Sequence, residues 1–577
     1  MSRFDFTVRI AGENGEGVLS VGDVLAEALA RVGLNVYTFK NLPAEIKGGA
    51  SMVQVRLSNG PVRSPGDAVD LLMVWNRENY DLHIDSLRQG GTLLYDPDEC
   101  EPDWGRIERQ YPIPLNQIVR EEIRQTRSKN VLAFGVLTSY LGVEQSIAER
   151  MVAESRWGRR KQLLEANLMA LRAGYHYVAE YLPPNGIPLP DLEGKTDHLF
   201  LTGNQALCLG ALTAGLHLYA GYPITPASDI MEELAKHLPL LGGVVVQTED
   251  EIAALATVIG ASFAGKKAMT ASSGPGISLM VEQMGLATMQ ELPLVIVDCQ
   301  RGGPSTGLPT KVEQSDLDLA IYGRHGDAPR IVVAPLDVED CFYTTIQAFN
   351  LAEKYQTPVI LLSDQHLSQR SQSVPRFDPY LLPILDRLTP TPEECLHYQR
   401  YRPSAEQASP MALPGIHEAI YCATGLEHDE RAEISTSPDV HQRMSQRRAD
   451  KIARAAREPG MVEWIGPEQA ELGIITWGSS SGPVLEALER AQEKGYSVAA
   501  LLPRMLAPLR TEEITRFMDQ MDQVAVAELN YSGQFARYIQ AHLCRPVRSL
   551  TQCTGLPFRP STVLDFIEEA LKDGHYR

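Results

Sequence analysis

Ala220-Gly221-Tyr222-Pro223-Ile224-Thr225-Pro226-Ala227-Ser228, taken with Thr248-Glu249-Asp250-Glu251-Ile252-Ala253-Ala254, decides how this chain reads. The first stretch is a strand end that runs into a proline-stiffened turn. The second follows a short β-branched run, Val244 to Gln247, and opens a helix. In an open α/β sheet both ends fall on the carboxyl edge of the strands, where ligands bind. Pro223 fixes its own φ and donates no hydrogen bond. Thr225 precedes a proline, which biases its backbone toward extended values. A rigid, donor-poor segment holding one hydroxyl suits contact with a ligand. The same residues also suit an ordinary strand-to-helix turn capped by Ser228.

Around this pair, residues 195–370 alternate helix and strand. Helices are expected over Ala206–Tyr219, Asp229–His237, Glu249–Ala264, Ile277–Gln290 and Val338–Lys354, and strands over Ala268–Ser272, Leu294–Cys299 and Val359–Leu362. Short apolar runs such as VVV at 244–246 and PVILL at 358–362 suit strands buried on both faces. The expected fold is α/β and multidomain, with a doubly wound parallel sheet here.

Residues 1–190 form a first α/β unit. A strand over Phe4–Ile10 meets the turn Gly12-Glu13-Asn14-Gly15-Glu16-Gly17 and then an amphipathic helix. Phosphates often sit at such a turn, but the spacing is not GxGxxG, no P-loop lysine follows, and Glu13 and Glu16 repel an anion. Residues 131–182 read as two or three helices, and the prolines of 183–190 as a linker. Residues 371–465 lose the rhythm and read as an extended connection. Within it, Gln442–Arg457 is a basic helix expected on a solvated surface. Gly425-Leu426-Glu427-His428-Asp429-Glu430 sets one histidine among acids, which more often marks a structural hydrogen bond than a metal. Residues 466–577 return to α/β.

Size and composition bound the function. The 577 residues suggest roughly three or four domains. A net charge of −20 argues against nucleic acid or an anionic membrane as the main partner. The eight cysteines are scattered without a CxxC, so an iron–sulfur or metal site in this chain is not expected. Met1–Ile10 is too short and too polar for a signal peptide, and no apolar run approaches the ~20 residues of a membrane span. The chain reads as cytoplasmic.

Four motifs in order, GYPITPAS (221–228), TEDEIAA (248–254), SSGPGISLM (272–280) and QRGGPSTGLPT (300–310), resemble the alpha subunit of 2-oxoacid:ferredoxin oxidoreductases. The resemblance is strongest to the 2-oxoglutarate type, in which a gamma domain is fused ahead of alpha. GENGEGV at 12–18 resembles the GxGGQGV start of that gamma domain, and Pro43 to Ser51 resembles its PxEIRGGxS, with Lys47 in place of arginine. The resemblance implies a thiamine-diphosphate enzyme that oxidises a 2-oxoacid and makes an acyl-CoA. It assigns 1–190 to a gamma-type domain on the coenzyme A side, with Gly12, Gly15, Gly17 and Lys47 as candidate cofactor contacts. It assigns 195–370 to the pyrimidine-binding domain, and 466–577 to a transketolase-like C-terminal domain.

The same resemblance gives residue roles. Thiamine diphosphate needs one carboxylate against its ring nitrogen N1′, and Glu251, nine positions before Gly260, matches that glutamate. Read alone, Thr248-x-x-Glu251 is a capping box that accounts for a glutamate there. Tyr222, Pro223 and Ile224 match the cofactor wall. Arg301 matches the arginine that grips the substrate carboxylate with a bidentate fork, with Thr225 hydrogen-bonding nearby and Lys311 as a second candidate cation. No GDG motif followed by asparagine is present to hold Mg²⁺ and a diphosphate. The family keeps that motif and its [4Fe–4S] cysteines on a separate beta subunit. The implied assembly is a dimer of heterodimers that exchanges electrons with ferredoxin, in either the oxidative or the reductive direction. Pyruvate or a branched-chain 2-oxoacid is the alternative substrate. A flavodoxin-like carrier module resting on the Gly12–Gly17 turn, and a non-catalytic scaffold, are the alternatives of another class.

Overall fold

The computed structural model describes residues 4–43, 48–103, 105–159, 161–183, 189–190, 197–403 and 408–574. The chain divides into two compact units, Met1–Leu201 with Arg370–Arg376, and Thr202–Gln369 with Phe377–Arg577.

The first unit is built on strands β1 (Asp5–Glu13), β2 (Asn35–Asn41), β3 (Ala50–Ser58), β4 (Val69–Val74), β5 (Leu87–Tyr95), β6 (Arg109–Pro112) and β7 (His198–Thr202). The sheet runs β6-β5-β4-β1-β3-β2, then Ser371–Pro375, then β7. β1, β4, β5 and β6 are mutually parallel neighbours, while β3 pairs antiparallel with β1 and β2. Every residue of β4 is buried, as expected of a central strand with six apolar or paired side chains. Helices Val18–Arg31, Lys129–Tyr140, Gln145–Glu154 and Lys161–Tyr181 share one core with this sheet, around Leu25, Phe134 and Leu171.

The strand Ser371–Pro375 corrects the expectation of a featureless connection after residue 370. Ser371 N donates to Thr38 Oγ1 (2.8 Å), Thr38 Oγ1 donates to Ser371 O (3.1 Å), and Val36 N donates to Ser373 Oγ (3.1 Å). Small hydroxylated side chains let the segment add to β2, and Pro375 stops it.

The second unit holds two sheets. β8 (Leu218–Gly221), β9 (Val244–Gln247), β10 (Ala268–Ser272), β11 (Leu294–Gln300), β12 (Ile331–Val333) and β13 (Pro358–Asp364) form a parallel sheet ordered β12-β13-β11-β10-β8-β9. Met505–Ala507 joins antiparallel at the β12 edge. The helix expected over Ala206–Tyr219 ends at Thr213, because Gly215 turns the chain at φ +86° and the backbone N–H groups of His217 and Leu218 both donate to Lys267 O. The C-terminal sheet runs Val462–Ile465, Val498–Pro503, Ala470–Thr476, Met521–Glu528, Arg548–Thr551, parallel except for the first.

The basic helix expected on a solvated surface, observed at Pro438–Ala453, instead buries Met444, Arg448, Lys451 and Ile452. Lys451 Nζ donates to Glu291 Oε2 (2.6 Å), Arg447 pairs with the other oxygen of Glu291, and Arg448 makes a two-pronged pair with Glu427 (2.8 and 3.0 Å). Three carboxylates spaced along that face, Glu291, Glu427 and Glu430, offset the charge that would otherwise demand water. His428 is buried, its Nδ1 lies 2.9 Å from Leu426 O, and its ring lies tilted against that of Tyr401 with centroids 4.1 Å apart. No helix among the described residues is long and apolar enough to cross a membrane.

Candidate functional site

Strands β9, β8, β10 and β11 are consecutive neighbours and run parallel, so their carboxyl ends lie along one edge. Each of the four sequence motifs begins at one of those ends. The Tyr222–Ser228 turn follows β8, the Glu251 helix follows β9, the Ser272–Gly276 turn follows β10, and Arg301 follows β11.

The helix Glu251–Phe263 is capped by Asp250, whose Oδ1 accepts from Ala253 N at 2.7 Å. Thr248 Oγ1 instead donates to Gly221 O (3.2 Å) and Asp250 O (2.9 Å), tying β9 to the end of β8. The capping box expected from Thr248-x-x-Glu251 is therefore not formed. A two-residue shift places Asp250 at the cap and leaves the glutamate free of that duty. Glu251 is 7% exposed and its carboxylate accepts no hydrogen bond from the described residues. It rests against the glycine turn after β10. A Cβ built on Gly276 would stand 2.6 Å from Glu251 Oε1 and 2.0 Å from Ser272 Oγ, so only glycine fits there. Leaving a buried carboxylate without a donor is costly, and this is the arrangement a ring nitrogen sharing a proton would complete. The residues present fit a thiamine pyrimidine.

The turn 222–225 lies open. Tyr222 is 42% exposed, and Pro223 and Thr225 are exposed as well. Its base is fixed by Asn204 Nδ2, which donates to Pro226 O (3.0 Å), and by Ser228 N, which donates to Ile224 O (2.9 Å). Ser228 begins the next helix without making the side-chain cap expected of it. The Thr225–Pro226 peptide is cis.

Arg301 is 8% exposed, and its Nη1 donates to Thr225 O at 2.7 Å. Its Nε is buried without a partner among the described residues. Burial lowers the guanidinium's pKa, against the opposing charge of Asp316. A cation short of water and with donors in hand is suited to an incoming carboxylate. Lys311 belongs to the same loop, its carbonyl accepting from Gly302 N (3.0 Å), and its stem packs on Gly555. Burial lowers its pKa also.

Two further carboxylates at this edge carry no motif and went unread. Asp298, on β11, is fully buried, and neither oxygen is hydrogen-bonded among the described residues. Burial, with the charge of Asp316, raises its pKa well above the usual carboxylate range. Asp316 reaches the first turn after β10, where a Cβ on Gly274 would lie 2.8 Å from its Oδ2. Burial, reinforced by Glu313 and opposed by Arg301, pushes its pKa up to about 6.

In the first unit, Gly15 and Gly17 take φ of +102° and +96° at the N-terminus of helix Val18–Arg31. The loop folds on itself, with Glu16 Oε2 accepting from Glu13 N (3.2 Å), and is tied to residues 48–49 through Asn14. Gly12 is buried. Lys129 Nζ lies 3.9 Å from both Glu16 Oε1 and the buried Asp96 Oδ2, and over the Trp75 ring. Glu16, one of the two acids expected to repel an anion, thus has a cation and a backbone donor beside it. Lys47 lies outside the described residues.

A cavity of about 620 Å³ elsewhere in the second unit is lined by Arg443, Arg447 and Lys451, which are already paired with Glu430 and Glu291. None of Glu251, Thr225 or Arg301 lines it.

Residues 209–447 match the family described as "Pyruvate flavodoxin/ferredoxin oxidoreductase, thiamine diP-bdg". Residues 7–177 match "Pyruvate ferredoxin/flavodoxin oxidoreductase", and 470–563 match "Pyruvate:ferredoxin oxidoreductase core domain II". The chain is 34% identical to the 2-oxoglutarate oxidoreductase subunit KorA of Mycobacterium tuberculosis, over 98% of this chain and 91% of that one. It is 32% identical to the 2-oxoacid:ferredoxin oxidoreductase 1 subunit alpha of Aeropyrum pernix, over 99% and 98%. Among solved structures it resembles the 2-oxoglutarate:ferredoxin oxidoreductase of Magnetococcus marinus, determined with 2-oxoglutarate, coenzyme A and succinyl-CoA bound. That similarity has a TM-score of 0.93 and 41% identity, and covers 98% of this chain and 99% of that one.

Proposed function

This chain belongs to the thiamine-diphosphate-dependent 2-oxoacid:ferredoxin oxidoreductases, and from that premise we propose that it is the alpha subunit of an enzyme converting 2-oxoglutarate and coenzyme A to succinyl-CoA and CO₂, with two electrons passed to ferredoxin. The observation that carries the reading is the convergence of Glu251, Thr225 and Arg301 on one sheet edge, with a buried carboxylate and a buried guanidinium both short of partners. The substrate assignment is supported by the names of the similar proteins and by the ligands of the Magnetococcus structure.

When bound, thiamine diphosphate supplies the nucleophilic carbon that attacks the 2-oxo group. Glu251, at the first residue of the helix and relieved of the cap by Asp250, would share a proton with ring nitrogen N1′. Tyr222, Pro223 and Ile224 would wall the cofactor, and the Ser272–Gly276 turn, after the neighbouring strand, would line the same pocket. Arg301 holds the carboxylate next to the oxo group through its fork, while the Thr225 carbonyl fixes the guanidinium and the Thr225 hydroxyl donates to the substrate. Lys311 stands second to Arg301.

We assign the diphosphate, its Mg²⁺ and the [4Fe–4S] cluster to a beta subunit, in a dimer of heterodimers. The exposed 222–225 turn supports this, since a wall left open to water cannot exclude it from the reacting atoms. Coenzyme A is assigned to the first unit, near Gly12, Gly15, Gly17 and Lys47. The test is expression of the chain alone and with the beta subunit, followed by a 2-oxoacid panel. The pair should be brown and turn over 2-oxoglutarate, and the chain alone should be colourless and inactive. Turnover by the isolated chain overturns the two-subunit reading, and a preference for pyruvate overturns the substrate.

A further inference from the structure

The segment that leaves the sheet at Arg301 returns through Val312-Glu313-Gln314-Ser315-Asp316. Its tip, Gly303–Leu308, is exposed, while Arg301 and Gln314 at the two feet are buried. The returning foot is gripped by the C-terminal region. Gln314 Nε2 donates to Trp477 O (2.9 Å), and its Oε1 accepts from Ser480 Oγ (2.7 Å) and Leu529 N (2.9 Å). Its backbone N donates to Leu529 O (2.7 Å) and its carbonyl accepts from Asn530 Nδ2 (3.0 Å). On either side, Val312 N donates to Gly555 O (3.3 Å) and Gln534 Nε2 donates to Ser315 O (2.7 Å).

From this foot the bonds lead back to the arginine. Glu313 Oε2 accepts from Gly303 N (3.3 Å) and Ser315 Oγ (3.0 Å), and Lys311 O accepts from Gly302 N (3.0 Å), the residue after Arg301. A buried amide whose oxygen accepts two bonds and whose nitrogen donates one is held in one position. A displacement of about 1 Å in a substrate-holding group can cost ~100-fold.

We propose that Gln314 is a positioning residue, through which the C-terminal five-stranded sheet fixes the loop that carries Arg301 and so sets affinity for the 2-oxoacid without touching it. The proposal rests on the substrate role given to Arg301 above. It also gives the C-terminal region a task beyond architecture.

The experiment uses the enzyme assembled with its beta subunit. Gln314→Met keeps the length of the side chain and removes its bonds. Ser480→Ala removes one bond from a residue remote from substrate, and decides the matter by the same criteria if Gln314→Met does not assemble. The expected result is a KM for the 2-oxoacid raised roughly tenfold for Gln314→Met and less for Ser480→Ala, with kcat within about twofold and the KM for coenzyme A unchanged. Amide hydrogen exchange at Gly302 and Leu308, both hydrogen-bonded within the loop, should quicken. An unchanged 2-oxoacid KM, a loss in kcat alone, or unchanged exchange overturns the proposal. Arg301→Lys, measured in parallel, separates the two readings: if it raises the KM and Gln314→Met does not, the positioning role fails and the arginine's stands. If Arg301→Lys has no effect, the arginine's role fails, and the positioning role that acts through it fails with it.

Discussion

Arg301 Nη1 donates to the backbone carbonyl of Thr225 at 2.7 Å, joining two residues 76 positions apart across the ends of β11 and β8. The bond spends one donor of the guanidinium on orientation and leaves the rest of the fork for a ligand. In Arg301→Lys the charge survives, but one ammonium cannot both hold Thr225 O and grip a carboxylate in two-pronged fashion. The expected loss is about 1.5–3 kcal/mol, or roughly 10- to 150-fold in kcat/KM for the 2-oxoacid. Cofactor affinity should change little. Steady-state kinetics of the assembled enzyme measure it, and an unaltered kcat/KM would place Arg301 outside the site.

Asp316 makes this grip depend on pH. Its carboxyl titrates at about 6, and its charge acts on Arg301. The sign follows from the raised value: below about 6 Asp316 is neutral and the guanidinium's charge is uncompensated, whereas above it the carboxylate competes with substrate for Arg301. Asp298 and Glu313 are the other acids facing the group, and burial with the charge of Asp316 raises the Asp298 pKa well above the usual carboxylate range. The KM for the 2-oxoacid should therefore rise with pH through that range. Asp316→Asn should lose this dependence and keep a low KM. A pH profile of KM for the two enzymes checks it, and identical profiles would sever Asp316 from Arg301.

The strand ends and the four motifs were legible because each is written in consecutive residues: VVVQ before TEDE, LVIVDCQ before RGG. What escaped was set by segments far apart in sequence. Glu291 meets Arg447 and Lys451 more than 150 residues later, so no local pattern could show that a basic helix would be buried. Ser371–Pro375 becomes a strand only because β2, over 300 residues earlier, offers it an edge. Gln314 looks like any loop glutamine until Trp477, Ser480 and Leu529 surround it. The capping misreading differs in kind. Thr248 and Asp250 are both good caps, and the sequence leaves them two residues apart; Thr248 is drawn off by Gly221 O, a partner supplied by the sheet.

The Glu291 cluster invites a stability test. Its carboxylate is fully buried, and Lys451, Arg447 and Arg400 together hold its pKa far below the usual range, overcoming burial. Glu291→Gln strands Lys451 and Arg447 as buried cations with half their partner gone. Breaking one side of such a group costs about 3–5 kcal/mol. The double substitution Glu291→Gln with Lys451→Met should recover part of that loss. Because the folded pKa is depressed, the stabilisation is present above the unfolded carboxyl value and fades as pH falls below it. Denaturant midpoints of the unaltered protein and the two variants check this, and a near-silent Glu291→Gln would show that the cluster does not stabilise the fold.

Glu251→Gln separates cofactor activation from helix capping more cleanly than the sequence alone promised. Because Asp250 makes the cap to Ala253 N, the Glu251 side chain has no capping bond to lose. Glutamine has nearly the same size and fills the same space against Gly276 and Ser272, so the fold should be as stable as before. What glutamine cannot do is hold the proton that N1′ must share. The assembled Gln variant should bind its substrates, unfold at the same temperature, and fail to exchange the C2 proton of thiamine diphosphate. Asp250→Ala supplies the reciprocal result: loss of the true cap should cost on the order of 1 kcal/mol of stability, with C2 exchange retained. The measurements are C2–H/D exchange and thermal unfolding on both assembled variants. Normal exchange in Glu251→Gln would remove the carboxylate from the chemistry. A large loss of stability there, with Asp250→Ala silent, would return the helix cap to Glu251.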